Sequence, residues 1–148
     1  MKTKATLKSY VKKRNGVALG HRHSLKNMLE RAFGAGSFRG FWQHWNPIWG
    51  YYLSFKITRP LSQILPIEVA ILVTFLVSGA IHDLAISLVK QEQFFFSVWF
   101  TIMGFYTLLE TRLNISYRAK AWPFKAALNL TIITLCWWFT EFLISIYR

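Results

Sequence analysis

Apolar residues along this chain fall first into short helical rhythms and later into long unbroken runs. In residues 24–33 (SLKNMLERAF), Leu25, Met28, Leu29, Ala32 and Phe33 recur at i, i+3, i+4, i+7 and i+8, which places them on one face of a helix. Ser24 can cap its start and Gly34 can stop it. With Lys26 and Arg31 on the other face, the pattern predicts a short amphipathic helix lying on a membrane surface. Residues 1–23 before it are basic and weakly patterned, and read as a surface arm.

Residues 37–57 (SFRGFWQHWNPIWGYYLSFKI) are dominated by aromatics. Phe38, Phe41, Trp42 and Trp45 keep the helical rhythm, which continues through Trp49 and Tyr52. Arg39, Gln43, His44, Asn46, Pro47 and Lys56 argue against a full crossing, and Trp and Tyr favour the headgroup level. The expected element is an interfacial or re-entrant helix, broken near Pro47 or Gly50.

Three apolar runs follow: Val69–Val89, Phe94–Leu109 and Ala127–Ile146. At about 1.5 Å per residue the first is about 31 Å long, the thickness of a hydrocarbon core. Lys90–Gln93 leave room only for a tight turn, so the first two runs are expected to form an antiparallel hairpin. The stretch from Glu110 to Ala126 carries Arg112, Arg118, Lys120 and Lys125. The positive-inside rule then puts that stretch and the N-terminus in the cytoplasm. The predicted architecture is an all-α integral membrane protein with about three transmembrane helices, an aromatic interfacial helix and a short amphipathic N-terminal helix. Residues 1–36 form a basic cytoplasmic arm and residues 37–148 a multi-pass membrane domain.

Composition agrees with that pattern. Hydrophobic residues make up 53% of the 148 and aromatics 18%, with a mean hydropathy of +0.28. The net charge of +12 is not spread evenly: ten of the 18 Lys and Arg residues lie between Lys2 and Arg39. Such asymmetry suits a segment facing anionic lipid better than a groove for nucleic acid, which is not an expected partner. One cysteine, Cys136, excludes an intrachain disulfide. The basic N-terminus leads into no short apolar stretch with a small-residue cleavage site, so no cleavable signal peptide is expected.

The chemistry starts with His82 and Asp83, adjacent ionisable side chains inside the first long run. Such residues are costly in a bilayer and mark function by default. Ser78, Gly79 and His82 share a helical face. Gly79 removes bulk beside the imidazole, and a neutral imidazole can serve as a general base. The alternative is that His82 and Asp83 only hydrogen-bond to neighbouring helices. Along their helices His82 and Glu141 lie at similar depth, about 20 Å and 21 Å from the cytoplasmic ends. Glu141 is therefore a possible partner for either residue, or a side chain reaching for the outer surface. In the aromatic segment, Trp42, His44, Trp45 and Asn46 form a second polar-aromatic group. His21-Arg22-His23 has ligand-like spacing but no acidic or cysteine partner, so no metal is expected.

Two of these groups together resemble a known family. FWQHWN, residues 41–46, followed by FKITRPL and then FLVSGAIHD, residues 75–83, resembles the C-terminal core of the membrane-bound O-acyltransferases, closest to the wax synthase-like branch. The likeness spans residues 24–90, and Asp83 stands where that branch has Glu. It implies transfer of an acyl group from acyl-CoA or another thioester to the hydroxyl of a lipid-like alcohol. His82 would be the general base and Asn46 the second active position, supported by Ser78, Gly79, Asp83, Glu141, Trp42, Trp45 and His44. Acyl-CoA is a donor substrate and no bound cofactor is implied. Membrane lipids are partners, and so short a chain points to a homo-oligomer or a second membrane subunit. Two other readings stay open: a non-catalytic or remnant membrane subunit that keeps the core for packing, and a small proton or solute pathway through His82, Asp83 and Glu141.

Overall fold

Helix formation begins earlier than the apolar pattern foretells. The computed structural model describes residues 6–87 and 94–147; the expected end of the first run at Val89 and the turn Lys90–Gln93 lie outside them. Helix α1 runs over Leu7–Asn15, within what reads in the sequence as a weakly patterned basic surface arm. The Thr6 hydroxyl accepts from the Ser9 amide, and Gly16 ends the helix at φ 79, in the left-handed region that glycine enters without strain. The arm is ordered by two residues, Val11 and Asn15, that become buried. The Asn15 amide donates to the carbonyl and the hydroxyl of Ser24 at the start of the next helix. Two buried positions in nine carry too little periodicity to be seen in sequence.

Helix α2 covers Ser24–Phe33 and stops at Gly34 as expected, but Ser24 is its first residue rather than its cap: His23 holds the cap position without a side-chain hydrogen bond, and the Ser24 hydroxyl accepts from Asn15 instead. α3, Phe38–His44, is capped by Ser37, whose hydroxyl accepts from the Gly40 amide. α4, Pro47–Leu53, follows after a break at Trp45 and Asn46. It continues through a π-helical turn, Ser54–Thr58, into α5, Arg59–Leu61. The break falls at Pro47, as the sequence suggests; Gly50 lies within α4. The long helices are α6, Ile67–Ser87, α7, Phe95–Arg112, and α8, Trp122–Ile146. Among the described residues every regular element is helical.

Two of these helices, α6 with 21 residues and α8 with 25, are long and apolar enough to cross a membrane. α7 does not join them, because its 18 residues end in the charged pair Glu110 and Arg112.

The chain divides into two compact units, residues 1–52 with 115–130, and residues 53–114 with 131–148. The expected boundary at 36/37 is not where packing divides the chain, since α2 and α3 belong to the same unit. In the first unit the aromatic rhythm is real, but its leading residues point inward. Phe38 and Phe41 are 0% and 2% exposed, stacked with ring centroids 5.7 Å apart, and Phe33 of α2 meets Phe41 edge-on at 5.4 Å. These rings form a core instead of anchoring at headgroups; Trp42 and Trp45 are half-buried beside them. The first turns of α8 close this core. Asn129, fully buried, donates to the carbonyls of Phe33 and Ala35 and accepts from the Tyr117 hydroxyl at 2.6 Å. The Trp122 indole donates to the Glu30 carbonyl. The Phe33 carbonyl left over at the end of α2 is thereby satisfied, while the Glu30 carbonyl also accepts from the Gly34 amide. A side chain at Gly34 would collide with the Trp122 ring, and one at Gly36 with Arg118.

In the second unit α6 and α7 are antiparallel neighbours: Asp83 meets Phe96 and Ser97, while Phe75 lies against Gly104. The α8 residues Ile133 and Trp137 pack on the start of α7, with Trp137 4.4 Å from Phe95 and 4.9 Å from Trp99. The Trp99 indole donates to the Ile133 carbonyl. Thr74, Thr101, Thr107, Thr111 and Thr140 each return their hydroxyl to the carbonyl one turn earlier. That habit satisfies polar groups within the helix, as an apolar solvent requires. The outer faces stay apolar: Leu84, Phe105, Leu135, Trp138 and Phe142 are all exposed.

Asn129 carries the clearest stability prediction. Asn129→Leu leaves two carbonyls and a phenol without their partner, at about 1–3 kcal/mol for each group that stays buried. The variant should melt at a distinctly lower temperature than the parent chain in detergent. An unchanged melting temperature would mean that those groups find other partners.

Candidate functional site

The second unit builds its polar site where α6 meets the first turn of α7. The chain enters α7 through Phe94, which has φ 69 and offers no side-chain cap. A left-handed backbone is unfavourable for a bulky L-residue, and the first amides of α7 need acceptors. Asp83 of α6 supplies them. Its carboxylate accepts from the Phe96 amide at 2.8 Å, the Ser97 amide at 2.7 Å and the Ser97 hydroxyl at 2.6 Å. A helix N-terminus is electropositive, so it favours an anionic acceptor there. Asp83 is thus an N-cap donated by one helix to another, buried and fully engaged.

This bond requires close backbone approach, and Gly79 permits it. Any side chain at Gly79 would run into the Phe96 carbonyl and the Ser97 backbone. Ser78, one residue earlier, is buried in the same contact region.

His82 sits next to the clamp but faces differently. Its imidazole is exposed, not enclosed in a bundle. It stacks on Phe100 at 4.9 Å and on Phe96 at 5.9 Å. Nδ1 lies 2.6 Å from the Ser78 carbonyl. A carbonyl oxygen only accepts, so Nδ1 carries the hydrogen, and in the neutral ring Nε2 holds the lone pair. The ring is held by a hydrogen bond to Nδ1 and by aromatic faces beside it, and among the described residues nothing bonds to Nε2. That is the geometry of a positioned proton acceptor.

Glu141 is not brought into this group. It is exposed on α8 and makes no hydrogen bond or ion pair with His82 or Asp83. Similar depth along two helices says nothing about azimuth, and Glu141 turns outward while Thr140 is the buried neighbour.

Asn46 and its neighbours belong to the other compact unit. Asn46 has φ 38, and its side-chain oxygen accepts from the Trp49 amide at 3.2 Å. With Pro47 as the first helical residue, it caps the start of α4. His44 is half-buried, its Nδ1 2.8 Å from the Arg14 carbonyl, and Gln43 accepts from the Arg14 guanidinium. His21 and His23 are exposed, with rings 5.4 Å apart. His21 Nδ1 accepts from the His23 amide and His23 Nε2 from Arg22, so the two rings turn these nitrogens to their own loop.

Sequence reasoning missed Ser97, Phe96 and Phe100, the residues that complete the clamp and cradle the imidazole. A signal existed: Asp83 lies near the end of one long helix and Ser97 in the first turn of the next, and an antiparallel pair brings such positions together. No protein-family model matches the chain, and no curated protein or solved structure matches it.

The clamp can be tested through its two partners. Asp83→Ala should cost about 1–3 kcal/mol for each amide or hydroxyl left buried without an acceptor. Asp83→Asn keeps one acceptor oxygen and should cost less. Hydrogen exchange at the Phe96 and Ser97 amides should accelerate in the order parent, Asn, Ala. Equal protection in all three would sink the capping role.

Proposed function

We propose that the chain is an integral membrane O-acyltransferase in which His82 is the general base. The observation that carries this reading is the imidazole itself, on an exposed residue, fixed by Nδ1 to the Ser78 carbonyl and by its stack on Phe96 and Phe100, with no hydrogen bond to Nε2 among the described residues. An exposed polar group on a helix otherwise facing lipid is expensive, which favours a use at that spot. The likeness of FWQHWN and FLVSGAIHD to the O-acyltransferase core supplies the reaction class. In the proposed step Nε2 takes the proton of an alcohol hydroxyl, whose oxygen attacks the thioester carbonyl of acyl-CoA. The carbon–sulfur bond breaks, the proton passes to the departing thiolate, and ester and free CoA result. The basic N-terminal segment and Arg112, Arg118, Lys120 and Lys125 would attract CoA phosphates. In this reading α7 joins α6 and α8 as a third span, the N-terminus is cytoplasmic, and a second copy or another membrane subunit completes the acyl chamber.

A second reading, a non-catalytic membrane subunit, is favoured by a specific observation. Asp83 and the Asn46 side-chain oxygen are both spent on capping helices. A proton pathway through His82, Asp83 and Glu141 lacks such support, since no hydrogen bond links the three.

In liposomes supplied with acyl-CoA and a long-chain alcohol, the parent chain should form ester. His82→Ala should lower kcat/KM by about 10²–10⁴-fold while accumulating and melting like the parent. Loss of the folded protein in that variant would favour the packing role, and absence of ester from the parent chain under every donor length would overturn the enzyme reading.

A further inference from the structure

We infer that α1, α2 and the loop between them form a docking surface for the anionic headgroups of one bilayer leaflet. This inference is independent of acyl transfer and rests on α8 crossing the membrane.

The first observation is an apolar face without a protein partner. Leu25 is 65% exposed and Leu29, one turn on, is 37% exposed, with Leu19 also exposed in the loop before them. Part of the amphipathic stripe of α2 therefore does not enter the core, which takes Ala32 instead.

The second is charge. Residues 6–33 hold seven Lys and Arg against one acid, Glu30, and Glu30 is already within 3.8 Å of Lys26. Lys8, Lys12, Lys13, Arg22 and Lys26 are exposed. Exposed leucines beside several cations match the acyl boundary and headgroups of an anionic leaflet.

The third is depth. The end of α2 is tied to the first turns of α8 through Trp122 to the Glu30 carbonyl and Asn129 to the Phe33 and Ala35 carbonyls. The 25 residues of α8 span about 38 Å, against about 30 Å for a hydrocarbon core. Its length exceeds that core by about 8 Å, so part of it extends to the headgroup level. Exposed Trp122 and Phe124, with Lys120 and Lys125 alongside, mark that level as an aromatic and basic belt. α2, fastened there, lies at the depth where an interfacial helix works.

The test uses the full chain in nanodiscs of phosphatidylcholine alone or mixed with phosphatidylglycerol. An environment-sensitive dye is placed on Leu25→Cys and, separately, on Trp138→Cys as a probe of α8. Cys136 is buried, and the unsubstituted chain serves as the labelling blank. With phosphatidylglycerol present, the dye at position 25 should shift to shorter wavelength, lose quenching by iodide and gain quenching by doxyl lipids. High salt, or Lys8→Gln with Lys12→Gln and Lys13→Gln, should reverse these changes. Equal lipid quenching in both disc types without salt dependence would overturn the role of headgroup charge. A dye at position 25 that iodide still reaches, or that neither quencher reaches, would overturn docking on lipid; the latter would mean a protein covers the face. Lipid quenching at position 138 without any at 25 removes the inference and leaves the membrane reading intact. Absence at both removes the two together.

Discussion

The second unit depends on one carboxylate. Asp83 is a carboxyl side chain on a bilayer-length apolar helix, a position that is unfavourable for a polar group unless it is engaged. It is engaged by two amides and a hydroxyl at the electropositive start of α7, all within 2.8 Å. Each side serves the other: α7 enters through Phe94 at φ 69 with no side-chain cap of its own, and among the described residues no ion pair forms with Asp83. Gly79 is the geometric condition for this exchange, because only a residue without Cβ lets the backbone of α7 come close enough. The stack of Phe96 and Phe100 on His82 then follows from the same register.

Polar residues in the long helices are handled in three ways. The threonines satisfy themselves within their helix. Asp83 and Asn129 satisfy the ends of other helices, Asp83 as an acceptor for amides and Asn129 chiefly as a donor to carbonyls. His82, on an exposed position, alone among these keeps a ring nitrogen without a hydrogen bond to the described residues after its internal bond is made. That difference separates a candidate reactive group from residues that hold the fold.

Much of the helical plan was legible in the sequence. The end of α2 at Gly34 and the break before Pro47 follow from local chemistry that acts over one or two turns, and α6 and α8 from long apolar runs; the start of α2 does not come from the expected Ser24 cap. α1 was not legible, because its order comes from Val11 and from Asn15 bonding to Ser24 rather than from its own polar composition. The aromatic segment was read with the correct period and the wrong surroundings: a stripe of Phe and Trp looks the same in sequence whether it faces lipid headgroups or a protein core.

By itself the sequence determined helical type, the apolar lengths and the presence of costly polar residues at 82 and 83, since each is a property of composition and spacing along one helix. Tertiary structure alone decided what those residues do. Asp83 and Ser97 are 14 positions apart and Asn129 and Phe33 are 96 apart, and the azimuth that turns Asp83 inward and His82 outward is set by which helices meet. A hydrogen bond needs its partners aligned within about 3 Å, and over such separations only packing provides that alignment.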